Sequence, residues 1–162
     1  MNRRTTCMLT RMTVLGLAIT ALPQASLAQS DPLAGLWQLN LTKSKYSPGP
    51  APKSLTLYVQ GEGQNRKATG VGIDAAGNAI SIVFMEAIED GKPHPVIGLA
   101  GVEASASTRV DAHTANVSYF YGGQIIQTGT IVTSQDGKTL TFTIAGARAG
   151  QQMNNTLVYD RQ

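Results

Sequence analysis

Cysteine is almost missing from this chain. The single one, Cys7, falls in a leader-like segment, so the remainder has no disulfide, no thiolate nucleophile and no cysteine metal site. Histidine is scarce too. His94 stands between Pro93 and Pro95, His113 sits in a DAHT turn, and neither has a second His, Asp or Glu at ligand spacing. No metal, no cofactor and no catalytic residue is expected. G-x-S-x-G, H-E-x-x-H and a phosphate-cradling glycine loop are all absent, and Gly70 and Gly72 in TGVGID read as a bend or bulge on a strand. Long apolar runs are lacking as well: Met12 to Leu22 is about half the roughly 20 residues a membrane span needs.

That short run has a different meaning. Arg3, Arg4 and Arg11 precede or open it, Pro23 breaks it, and Ser26-Leu27-Ala28 offers small residues where a signal peptidase reads. A secretory signal peptide, cleaved after Ala28, is expected, leaving residues 29–162 as a single exported domain in the periplasm or outside a bacterial cell. Thr5-Thr6 after the paired arginines speak against the twin-arginine route. The chain has thirteen basic and ten acidic residues, and losing those three arginines leaves ten of each. The basic character of the precursor therefore implies no nucleic-acid partner. The oligomeric state is not fixed by the sequence.

From Leu33 onward, apolar and polar residues alternate with a period of two. Strands are expected at LAGLWQLNL (33–41), SLTLYVQG (54–61), RKATGVGID (66–74), AISIVFMEAI (79–88) and HPVIG (94–98). Five more follow at SASTRVDA (105–112), ANVSYFY (115–121), QIIQTGTIVTS (124–134), TLTFTIAG (139–146) and MNNTLVYDR (153–161). Asp90-Gly91 and Asp136-Gly137 are dipeptides that tight hairpin turns prefer. No stretch shows a helical period. About ten consecutive short strands imply an all-β antiparallel meander, and closing it into a barrel removes the exposed edges.

KSKYSPGPAPKS (Lys43–Ser54) interrupts this pattern. A single strand cannot fold alone, so it is no interdomain linker. Pro48, Pro50 and Pro52 are spaced by two, which is not a PxxP docking motif. Alternate prolines instead make a stiff extended crossover, which should join neither sheet nor helix. Tyr46 is its residue best able to pack onto a barrel mouth, as a lid; an inert crossover is the other reading.

GLWQLNL near the start and NNTLVYDR at the end resemble the calycin pattern of lipocalins and fatty-acid-binding proteins. There a Gly-x-Trp, here Gly35 and Trp37, opens the first strand and plugs one barrel end. Thr156, Val158, Tyr159, Asp160 and Arg161 are similar to the final strand of fatty-acid-binding proteins. Most of residues 29–162 also resembles secreted bacterial lipocalin-like proteins with LN-x-x-KSKYSPGPAPKS followed by DGK hairpins. The resemblance implies a calycin-like barrel of ten strands. It also implies a departure: Leu157 and Val132 stand where the family's two carboxylate-binding arginines would be, and the proline-rich crossover replaces its helical lid. A ligand here should be more neutral, or held differently.

A ten-stranded barrel is wide enough for a cavity. Strand parity points Leu39, Ile80, Leu140 and Ile144 inward, and the cavity candidates are Trp37, Ile82, Phe84, Arg109, Tyr119, Phe142, Leu157 and Tyr159, with Tyr46 at the mouth. Plain packing is the competing reading for each. Arg109 shares a face with Ser107 and Asp111, as an internal cation for an anionic ligand or an outward partner of Asp111 or of a neighbouring strand. Tyr119 and Tyr121 are expected on one face, for a mouth or for cross-strand pairing. Glu86, Glu89 and Asp90 read as a solvated edge. Three functions are weighed: a binding barrel for a small apolar molecule, a structural or envelope-interaction protein with a packed core, and an enzyme. Only Arg109, a tyrosine and Glu86 could be offered as an enzyme's catalytic trio.

Overall fold

A computed structural model describes residues 31–62, 65–85 and 89–162; the segment expected to be a signal peptide and Glu86 lie outside them. Ten strands follow in order: β1 (Gly35–Leu39), β2 (Ser54–Glu62), β3 (Asn65–Ile73), β4 (Ala79–Phe84) and β5 (His94–Ile97), then β6 (Ala104–Arg109), β7 (Thr114–Tyr121), β8 (Gln124–Thr133), β9 (Thr139–Arg148) and β10 (Gln151–Arg161). Each pairs antiparallel with its neighbours in sequence, and β1 pairs with β10, so the sheet is a closed all-β barrel. No helix occurs among the described residues. Every strand lies where period-two alternation placed one.

Directly opposed residues in antiparallel strands share a face, so the register identifies the interior. Trp37 opposes Leu57, Leu57 opposes Gly70, and Gly70 opposes Ile82. Across the closing seam Leu39 opposes Tyr159, and Tyr159 opposes Leu140. Trp37, Leu39, Leu140 and Tyr159 are buried together with Leu33, Leu55 and Val59. A second buried group, Val96, Val102, Val117 and Tyr119, lies against Ile82, Phe84 and Ile144.

The two barrel ends are built differently. At one, residues Asp31 to Ala34 fold beneath β1: the Trp37 indole donates to Leu33 O at 2.9 Å. The Arg161 side chain donates to the carbonyls of Pro32, Ala34 and Gly137. Gly35 makes this possible. Its φ is +142°, and a Cβ there would fall 2.5 Å from Arg161 Nη1. At the other end run the proline-rich crossover and the β5–β6, β7–β8 and β9–β10 turns.

Several local expectations need correction. Leu41 is exposed in a turn, because β1 stops at Leu39. EDGK is no tight hairpin: Gly91 N donates to Ser107 O, and Asp90 bridges to Thr108 on β6, because the chain after β4 folds over the barrel end. Regular pairing runs through Gly70 and Gly72 without a bulge; a Cβ on Gly72 would meet Ser54 O at 2.1 Å, so close backbone approach explains it. The irregularity lies instead opposite Tyr119 and Phe120, where β8 carries Ile126 as an extra residue; Tyr119 is buried, whereas Tyr121, at the end of β7, is exposed. The crossover does join the sheet: Lys45 bridges to Thr156 ahead of the prolines, and Ser47 O and Lys53 N also bond to strand backbone.

Candidate functional site

The interior wall is apolar. Ile80, Ile82, Phe84, Phe142, Ile144 and Leu157 all point inward by register, are partly buried, and pack against the two buried groups. Together they make the apolar lining of the barrel interior. Trp37, Leu140 and Tyr159 are buried and close one end of it. Phe84 and Tyr119 meet across the lumen with ring centroids 6.4 Å apart at 52°.

Tyr46 enters the barrel from the crossover. Lys45 and Thr156 exchange backbone hydrogen bonds, Asn154 N donates to Ser47 O, and Ser47 N donates to the Asn155 side-chain oxygen at 2.9 Å. Tyr46 therefore stands opposite Asn155, which is buried and faces inward between Ile144 and the crossover. Its ring packs against the Trp37–Tyr159 group. Its hydroxyl is buried, and among the described residues no group pairs with it. Burial pushes this phenol up to about 12.

Tyr119 and Tyr159 are buried too, and burial raises both phenols. Tyr46 and Tyr119 each push Tyr159 further up, so the three rings share one interior. At cellular pH all are neutral donors.

Arg109 points inward, as one of the two readings had it, but it is not a free cation. It pairs with Glu89 and lies 3.5 Å from Asp31, and Asp111 is not its partner. Arg66 completes the cluster, bound to Asp31 and Glu89. Two guanidiniums and two carboxylates thus neutralise one another at the Trp37 end, with Arg66, Asp31 and Glu89 almost wholly buried. Glu89 is no solvated edge. Burial raises its carboxyl above the ordinary value, against the pull of Arg66. An open groove beside His113, Lys138 and Arg161 lies outside this end and touches no lumen residue.

Val132 is exposed on the outer face, so Ile131 and Thr133 hold the inward positions at that level. Leu157 is inward and apolar, opposite Phe142. Strand parity did not single out Asn155, Gln127 or Ser105, all buried polar groups, nor Arg148. Arg148 continues the inward series Phe142, Ile144, Gly146 at the crossover end and acts on the Tyr119 phenol. It makes no ion pair among the described residues. Extending the β9 alternation past Gly146 would have found it. His94 bonds Asp90 at 3.0 Å, and no cluster of three metal-ligating side chains occurs among the described residues. No helix there is long and apolar enough to cross a membrane.

The fold and this lumen define a closed ten-stranded antiparallel barrel with an apolar interior and a few buried donors. Solved structures similar to it include the following two. A redesigned β-barrel, mFAP1, bound to DFHBI is 15% identical with a TM-score of 0.44, covering 80% of this chain and 95% of that one. A zebrafish ileal bile-acid-binding protein complexed with cholic acid is 10% identical with a TM-score of 0.49, covering 81% and 99%. No family model and no curated protein matches the chain.

Proposed function

We propose that this protein is an exported binding barrel that holds a small apolar molecule in its lumen, in the periplasm or outside the cell. The observation that carries the reading is the set of inward, partly buried apolar side chains, above all Ile82, Phe84, Phe142 and Leu157. An interior lined this way loses free energy to water and regains it from an apolar guest, at about 25 cal/mol for each Å² covered. The n-region, apolar run and Ser26-Leu27-Ala28 of the leader support export. Native mass spectrometry on chain isolated gently from its export compartment tests the reading. Retained mass above the polypeptide is expected; bare polypeptide beside a control barrel that keeps its lipid sinks it.

A second reading, an envelope-interaction protein, has one observation in its favour. Leu36, Tyr58, Val71 and Ile73 are exposed on the outer face of β1 to β3, and Leu36 and Tyr58 are direct cross-strand neighbours. Envelope co-fractionation abolished by Tyr58→Ser, with no guest found, would establish it.

A further inference from the structure

The Tyr46 hydroxyl is a buried, unpaired polar group of the lumen. Leaving a buried donor unpaired costs folding free energy, so a hydroxyl held there needs an acceptor from outside the protein. Ser47 N, next to Tyr46, donates to the Asn155 oxygen, which fixes the side-chain amide so that its NH₂ is a second donor group beside Tyr46. Around them stand Tyr159, Leu157 and the Trp37 group, so the site is donor-rich and otherwise apolar. Among the described residues no guanidinium pairs with it. Arg66 and Arg109 are consumed at the Trp37 end, and Arg148 acts on Tyr119 but not on Tyr46. A carboxylate brought to Tyr46 would lose its hydration with only neutral donors in return. A ketone or ester oxygen loses far less and accepts the same bond.

We infer that Tyr46, with the Asn155 amide beside it, is a hydrogen-bond donor site for an uncharged carbonyl oxygen on an otherwise apolar ligand. The inference rests on the lumen-binding reading. It also makes the proline-rich crossover part of the binding site, since this segment delivers the donor that selects the guest.

Three probes of one chain length test it: methyl nonyl ketone labelled with carbon-13 at the carbonyl, undecane and undecanoate. Each is titrated against wild type and Tyr46→Phe, which removes one oxygen and keeps the ring's shape. The bound carbonyl signal in wild type should lie downfield of the bound signal in Tyr46→Phe, as a hydrogen bond requires. Tyr46→Phe should remove that difference and weaken the ketone about tenfold, leaving undecane unchanged. If undecane fails to bind wild type, the lumen reading itself falls. Undecane binding with the ketone indifferent to Tyr46→Phe would overturn the donor site alone. Undecanoate binding more tightly than the ketone would overturn it in favour of a charge-based site at Arg148. Should Tyr46→Phe not fold, Asn155→Asp replaces one donor wall with an acceptor and should weaken the ketone selectively.

Discussion

The Arg161 guanidinium carbon lies 4.2 Å from the centroid of the Trp37 ring. The last strand thus covers the indole that the first strand buries. The same guanidinium ties down three backbone carbonyls of the N-terminal segment and the QDGK turn. Charge, stacking and hydrogen bonds are satisfied by one side chain at one barrel end.

Arg161→Lys keeps the charge but loses the planar fork. It is expected to cost about 1–3 kcal/mol in urea unfolding followed by circular dichroism. Trp37→Ala leaves a cavity in a wholly buried position and should cost about 3–5 kcal/mol. Equal losses for the two would mean that the stack, not the indole's burial, dominates this end.

The ion cluster predicts a specific asymmetry. Arg66→Met leaves the buried Asp31 and Glu89 carboxylates with Arg109 as their one cation among the described residues and should destabilise by about 3–5 kcal/mol. Exposed Lys43, paired with Asp160 at 2.9 Å, should cost less than about 1 kcal/mol on Lys43→Ala. Comparable midpoints for the two variants would show the cluster to be energetically idle.

Glu89 also sets a pH dependence. Its carboxyl is raised above the ordinary 4.5, so above that pH the folded chain holds this proton more tightly than the unfolded chain does. The residue's contribution therefore favours folding at low pH and is lost as pH rises through the raised value. Glu89→Gln should remove that slope from urea midpoints measured upward from pH 4.5. An unchanged slope would assign it elsewhere.

The buried phenols act at the alkaline end. Tyr46 is raised from 10.0 to about 12, and Tyr119 and Tyr159 are raised as well. Between pH 10 and 12 the folded state retains protons that the unfolded state gives up, so stability is intact below 10 and falls above it. Ultraviolet titration should show these three ionising only as the barrel unfolds. Their reversible ionisation near pH 10, with native circular dichroism, would place the rings in water.

The sequence made the strands legible because one face of each is buried and the other wetted, so Leu140, Phe142 and Ile144 declare themselves by spacing alone. It made the candidate site legible only in part. Ile82, Phe84 and Leu157 follow from parity, but the partners of Arg109 come from Asp31 and Glu89, outside any strand, where alternation says nothing. Ile126 is an extra residue in β8 opposite Tyr119 and Phe120, and no turn residue announces that break in the period. The inward turn of Tyr46 depends on a bridge to Thr156 at the far end of the sequence. Two-residue periodicity carries no information about such pairings.

Gly98 offers a stringent check on the narrow β4–β5–β6 region. Its φ is +82°, and a Cβ would fall 1.8 Å from Ser81 O. Gly98→Ala should cost more than about 2 kcal/mol by urea midpoint, and a neutral result would mean that β5 can shift freely.

The pairing of Trp37 with Arg161 also orders events in time. A chain synthesised from its N-terminus makes β1 first, yet one edge of that strand stays unsatisfied until the final residues exist. Contacts so distant in sequence are slow to form, since a long loop must close before they repay its entropy. The barrel is therefore completed last at the place where it was begun. Because Trp37 is the sole tryptophan and sits on that seam, its fluorescence is a built-in clock for the closing step.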